Sequence, residues 1–305
     1  MLKEYPCNLC GSKDNVVIYP STALEGCMCV GSMACTNEGH GEHYQIVRCR
    51  RCGLIFSSPR PDDIELEAAY QSVRDDIYAQ QLEGRVRTFD RNLDNLARFC
   101  AGGKLMDVGC ALGVFLSRAL RRGWNVRGIE PSLWCVEKSK ELFNVAVEQG
   151  TYKDLLRSPG MFDVITLWDV LEHISDPTDA LKACNMALRV GGVLAFSTVD
   201  AGSLYARVLG QRWPWLMKMH IHYFDRKTIH AYLCKAGFDV LEIRNYRHTI
   251  SLEYLEYKLK AVNVILYGVM GLLRKMPFMA DVFVTVAMGD FMEVYARKLV
   301  DAQPK

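Results

Sequence analysis

The chain has 305 residues, half of them hydrophobic and 24% charged, with a formal net charge of +2. That length accommodates one large domain with an appendage, and the near-neutral charge argues against a broad nucleic-acid-binding surface. The N-terminus, MLKEYPCNLCG, lacks the apolar core of a signal peptide, and twelve cysteines without one suggest a reducing, cytoplasmic setting.

Seven of those cysteines precede residue 53. Two matching knuckles, Cys7-Asn8-Leu9-Cys10-Gly11 and Cys49-Arg50-Arg51-Cys52-Gly53, offer two thiolates each on tight turns, the donor set of a closed tetrahedral zinc site. Cys27, Cys29, Cys35, His40 and His43 lie between them, so a second site or an exchange of ligands stays open. Arg48, Arg50, Arg51 and Arg60 read either as a nucleic-acid grip or as a solvated strand edge. Pro59-Arg60-Pro61 marks the end of this unit, giving a zinc-ribbon-like domain over residues 1–60 and a helical cap over 61–103.

In the cap, Asp62 or Asp63 supplies an N-cap, and Phe89, Leu93, Leu96 and Phe99 recur at helical spacing. From 104 to 302 strands and helices alternate. Strands are predicted at Lys104–Val108, Asn125–Glu130, Val145–Glu148, Phe162–Trp168 and Val193–Thr198. Helices run from about Gly113 to Arg122, from the cap Ser132 to about Phe143, and from Asp176-Pro177 to Arg189. This alternation gives a parallel, doubly wound sheet. Asp200–Phe224 breaks the rhythm with Trp213, Trp215, Met217, Met219 and Tyr223 among Arg207, Arg212, His220 and His222. Asp225 then caps a helix ending at Gly237, a strand runs from Phe238 to about Arg244, and a last strand covers Phe291–Leu299. Residues 251–288 form an apolar helical insertion of two segments joined at Pro277. Its longest apolar run, Ala261–Leu273, is too short to span a bilayer. A helix lying on a membrane surface and packing against a second subunit or the protein's own sheet fit this insertion equally.

The turn after the first strand is G-x-x-x-G, Gly109 to Gly113, rather than the dinucleotide G-x-G-x-x-G. With Asp107-Val108-Gly109, Gly128-Ile129-Glu130-Pro131-Ser132, Phe162-Asp163-Val164 and Asp169-Val170-Leu171-Glu172-His173 in register, the chain resembles the class I S-adenosylmethionine-dependent methyltransferases. The resemblance is to the subgroup of ubiquinone-biosynthesis O-methyltransferases and sugar methyltransferases, and covers about residues 85–245 with the final strand. It implies a Rossmann-like, seven-stranded sheet whose sixth and seventh strands pair antiparallel, carrying a small N-terminal zinc-binding domain. S-adenosyl-L-methionine and Zn2+ are the implied cofactors.

Carried over by position, Asp107, Gly109, Cys110 and Gly113 order the turn and the methionine end. Glu130, with Pro131 and Ser132, takes the ribose diol; Gly150 and Thr151 lie beside the adenine; Trp168 and Asp169 lie where the methyl is presented. Tyr70 or Tyr78 closes over the cofactor or belongs to the packed face. Glu172-His173 reads better as a support of the pocket than as a catalytic pair. Met219-His220-Ile221-His222 is similar to a histidine–aromatic stretch of sugar C-methyltransferases, which makes His220 the candidate base, with a structural role for it as the alternative. Met219 stands where those enzymes carry Glu, which counts against C-methylation. Arg207, Arg212 and His222 are the candidate substrate contacts. The expected acceptor is a small molecule, such as a sugar nucleotide, a lipid-linked glycan or a secondary metabolite. An RNA-modifying enzyme gripping through its zinc ribbon and a non-catalytic zinc scaffold are the alternatives.

Overall fold

The computed structural model describes residues 2–23, 41–75, 82–256, 268, 271 and 282–299. Tyr78, Cys27, Cys29, Cys35, His40 and most of the apolar insertion, Pro277 included, lie outside the described residues.

Seven strands form the central sheet: β4 (Lys104–Val108), β5 (Asn125–Glu130), β6 (Val147–Gln149), β7 (Phe162–Trp168), β8 (Leu188–Val199), β10 (Phe238–Asn245) and β13 (Phe291–Lys298). Their order is β10-β13-β8-β7-β4-β5-β6. β4 to β8 are parallel, whereas β13 pairs antiparallel with both β8 and β10. The connections leaving β4 and β7 run to opposite sides, so a crevice opens at the carboxyl ends of these two strands. β7 is buried along nearly its whole length, as a central parallel strand covered on both faces must be.

Two predicted boundaries move. The helix after Asp176 covers Pro177–Ala187 and stops short of Arg189, because Leu188 already enters β8 opposite Phe162. The third strand begins at Val147, two residues later than the apolar run suggested, and Val145 packs inward as a core side chain.

The cysteine-bearing region does not end at Pro61. β1 (Asn15–Tyr19), β2 (Ile46–Cys49) and β3 (Ile55–Ser57) form an antiparallel sheet whose fourth strand is β9 (His222–Tyr223), from far along the chain. Arg60 is buried, with its guanidinium 3.8 Å from the Tyr5 ring centroid and 2.9 Å from an Asp63 oxygen. It is therefore neither a solvated edge residue nor free for phosphate, and its task is to lock the end of this sheet to the first helix, Asp63–Gln71. Asn8, inside the first knuckle, donates to Asp176 Oδ1 (2.9 Å) and accepts from the hydroxyls of Thr178 (2.8 Å) and Tyr232 (3.1 Å).

The two ends of the 251–288 insertion are not helical throughout. β11 (His248–Ser251) pairs antiparallel with β12 (Phe283–Val286), closing the segment into a neck beside the main sheet. Among the described residues no helix is long and apolar enough to cross a membrane.

Asn8→Ala removes one donor to Asp176 Oδ1 and the acceptor that Thr178 and Tyr232 share, so it should cost about 1–3 kcal/mol in urea unfolding. Binding of S-adenosylhomocysteine, some distance along the sheet, should be unchanged.

Candidate active site

The crevice expands into one cavity of about 700 Å³, large enough for a nucleoside cofactor and an acceptor together. Its first end is built by the turn after β4. Gly109 has φ +70°, and a Cβ placed there would lie 2.7 Å from Val170 Cγ2, so only glycine lets this backbone approach the loop after β7. Ala111 follows at φ +47°, a strained value held by its amide, which donates to Glu130 Oε2 at 2.8 Å. The other Glu130 oxygen accepts from Ser132 N at 3.0 Å. Glu130 is 7% exposed, and burial raises its pKa to about 7 against the pull of those two amides. Asp107, 2% exposed, accepts from the Thr166 hydroxyl at 2.6 Å, and burial raises its pKa to about 8, with a smaller push from the Glu130 charge.

Of the predicted cofactor residues, Asp107, Gly109, Cys110, Glu130, Pro131, Gly150, Thr151, Trp168 and Asp169 line the cavity together. Gly113 and Ser132 do not. Gly113 starts the helix Val114–Arg121 at φ +74°, where a Cβ would meet Val145 and Ser139. Ser132 caps the helix Leu133–Phe143 and donates its hydroxyl to Val73 O at 2.8 Å. Thr151 caps the 3-10 turn after it, reciprocated by Asp154.

At the other end β7 delivers Trp168 and Asp169. Trp168 stacks on Tyr246 at 6.3 Å, and Asp169 adopts φ +55°, pinned through its amide (2.9 Å) and Oδ1 (2.6 Å) to the Ser197 hydroxyl. Behind them Glu172, His173 and His220 bring their polar atoms within 4.8 Å of one another. Glu172 accepts from the Thr198 hydroxyl at 2.8 Å, its other oxygen has no hydrogen-bond partner among the described residues, and burial beside Asp169 raises its pKa to about 8. His173 and His220 each bond a backbone carbonyl through Nδ1, Met219 O at 2.9 Å and Trp215 O at 2.8 Å. A carbonyl can only accept, so both rings carry a proton on Nδ1, which in a neutral imidazole leaves the lone pair on Nε2. Tyr70 does reach the cavity, donating to Met219 O at 3.3 Å.

The three candidate substrate contacts stand elsewhere. Arg207 and Arg212 are solvent-exposed and outside the cavity. His222 is buried in β9, stacked on Phe224, and burial with the nearby Arg60 charge lowers its pKa to about 3. The walls of this end are largely apolar instead, with Trp215, Met217, Met219, Tyr246 and Phe291, and with His248, Asp290 and Arg85 as polar groups on the same lining. Tyr246, His248 and Phe291 escaped the sequence reading because they sit in strands or strand ends, where period-two alternation resembles ordinary packing.

The four knuckle thiols also converge. Cys7 and Cys52 lie 3.4 Å apart, Cys10 and Cys49 3.5 Å, and all four sulfurs fall within 4.8 Å of one another. A tetrahedron of thiolates around zinc has sulfur–sulfur edges of about 3.8 Å, so the set fits the metal.

The Methyltransferase domain family pattern matches residues 78–243. The chain belongs to that family, and its crevice is that of an S-adenosylmethionine-dependent methyltransferase. Over 156 residues it is 32% identical to a protein of Pseudomonas aeruginosa named ubiquinone biosynthesis O-methyltransferase, covering 47% of this chain and 67% of that one. A protein of the same name from Pseudomonas syringae pv. tomato is 37% identical over 106 residues, 33% of this chain and 46% of its own length. The chain thus spans two thirds of the first relative and under half of the second. A SAM-dependent methyltransferase structure from Thermotoga maritima shares the fold, with 18% identity, a TM-score of 0.50, and coverage of 73% of this chain and 93% of that one.

Glu130 has a folded-state pKa above the ordinary carboxylate value, so its contribution to stability is complete below about pH 4 and is lost as pH rises through about 7. Glu130→Gln, which does not ionise, should therefore gain stability relative to the wild type between about pH 5 and pH 8. Urea midpoints across that range check the sign.

Proposed function

We propose that the protein transfers the methyl group of S-adenosylmethionine to a hydroxyl on a small, apolar, ring-bearing acceptor of quinol type. The observation that carries this reading is the wall of the acceptor end, where Trp215, Met217, Met219, Tyr246 and Phe291 offer ring stacking and apolar surface. The relatives' shared name, ubiquinone biosynthesis O-methyltransferase, points the same way. A sugar nucleotide would need cations for its diphosphate; Arg207 and Arg212 lie outside the cavity, and of the two cations that the described residues place on its lining, Arg85 and Lys153, Lys153 already pairs with Glu67 at 3.2 Å.

Bound S-adenosylmethionine supplies an electrophilic methyl on a sulfonium. Glu130 accepts the ribose hydroxyls with the oxygen lone pairs that Ala111 and Ser132 leave available. Gly109 and Ala111 bring the turn's backbone against the methionine end, and Gly150 and Thr151 border the adenine. Trp168 and Tyr246 form the flat wall beside the transfer point. His220 Nε2 takes the acceptor hydroxyl proton as the oxygen attacks, its ring held by the Trp215 carbonyl. Orientation and exclusion of water by the aromatic walls supply much of the remaining acceleration. We further propose that Cys7, Cys10, Cys49 and Cys52 bind one structural zinc, whose four thiolates leave no open catalytic position.

The purified protein, given labelled S-adenosylmethionine, should methylate a polyprenyl catechol and leave UDP-glucose and a structured RNA unlabelled. Labelling of the sugar nucleotide or the RNA alone would overturn the proposal. His220→Gln should lower kcat by about 10²–10⁴ while S-adenosylhomocysteine affinity stays within about twofold. Elemental analysis should find one zinc per chain, and Cys49→Ser should lose it together with several degrees of Tm.

A further inference from the structure

The turn before the last strand carries a buried carboxylate that the transfer chemistry above does not use. Asp290 is 4% exposed, and among the described residues no ion pair reaches it. One of its oxygens, Oδ2, instead accepts from two indoles, Trp213 Nε1 at 3.0 Å and Trp215 Nε1 at 2.8 Å. Burying an anion with only neutral donors is costly, and an apolar side chain would serve packing as well. What the carboxylate adds is direction. Two N–H vectors converging on one oxygen fix the rotation of both rings in a segment, Trp213-Pro214-Trp215, that belongs to no helix or strand.

The consequence runs into the acceptor end. The Trp215 ring meets Phe291 edge-on at 4.8 Å and lies 6.3 Å from the His220 ring at 26°. Its own carbonyl is the group that accepts His220 Nδ1–H at 2.8 Å. Trp215 and Asp290 both line the cavity. With its indole clamped, Trp215 keeps its carbonyl against His220 Nδ1, so the clamp holds the neutral histidine in one tautomer, with the proton on Nδ1.

We propose that Asp290 is a positioning residue, acting through the Trp213–Trp215 clamp to fix the tautomer and orientation of His220. The catalytic consequence rests on His220 being the proton acceptor, whereas the positioning itself does not. The test is a long-range ¹H–¹⁵N spectrum of the histidine rings in the full-length protein at fixed pH, with His220 assigned by its loss in His220→Gln. The wild type should show His220 protonated on Nδ1 alone. Asp290→Asn keeps an amide oxygen that both indoles can reach and should preserve that pattern, with kcat on the polyprenyl catechol within about threefold. Asp290→Leu should average the two tautomers and lower kcat at least 30-fold, with KM and S-adenosylhomocysteine affinity within about threefold. Should that variant not fold, Trp215→Phe breaks the clamp from the other side and should average the tautomers likewise. If either broken clamp retains the Nδ1–H pattern while its indole resonances shift, the positioning proposal is overturned. If instead the tautomers average but kcat is unchanged in His220→Gln, the proposal stands and the base assignment fails.

Discussion

Glu130 ties together three parts of the molecule that sequence keeps apart. Its two oxygens hold the amide of Ala111 in the turn after β4 and the amide of Ser132 at the start of the next helix. Ser132 in turn donates to Val73, so the chain approaching the helical cap is attached to the same point. Among the described residues no ion pair reaches the carboxylate, and its charge adds to the cost of ionising Asp107 nearby. The crevice is thus assembled around a buried carboxylate that faces the cavity. A ligand that presents hydroxyls and a positive centre relieves that tension, which explains why the strained Ala111 backbone and the glycine approach at Gly109 are maintained there.

The acceptor end is built by a different route. The strands of the cysteine-bearing region continue through β3 into β9, and Ser57 N bonds the carbonyl of Ile221, one residue from His220. On the opposite side, the turn at Asp290 fixes Trp215 and hence the His220 ring. The histidine is therefore held between an N-terminal appendage and the last strand of the sheet. A metal in the four-thiol cluster would stiffen the first of these supports, although it would lie outside the chemistry itself.

Much of the cofactor end was legible in the chain, because its signals are local. A five-residue glycine turn, an acid about twenty residues on, and the cap at Ser132 each report a backbone requirement that only certain residues meet. The convergence of the four knuckle cysteines was legible for the same reason. The acceptor end was not, since it is assembled from side chains remote in sequence. His222 lies only two residues from His220, yet His220 precedes β9 and stands outside its period-two pattern, so His222 shares a face with Phe224 instead, stacking on it with Nε2 3.4 Å from Ser175 O. Arg207 and Arg212 had the right charge but lie on the outer side of a short helix and turn. Arg60 looked like a surface cation in a basic stretch, and only the fold shows Tyr5 beneath it. Conversely, Tyr246, His248 and Phe291 carry no motif, and their importance comes from where β10, β11 and β13 meet.

The central claim, methyl transfer to oxygen on an apolar acceptor, is tested most directly by the chemistry of the product. Incubating the protein with S-adenosylmethionine labelled with ¹³C in its methyl group and an organic-solvent extract of cells gives every apolar acceptor a chance to compete. A new ¹³C resonance in the aryl methoxy region, absent with His220→Gln, is the predicted result. Label appearing as a methyl bound to carbon or nitrogen, or remaining wholly in the aqueous phase on a sugar nucleotide, would contradict the account.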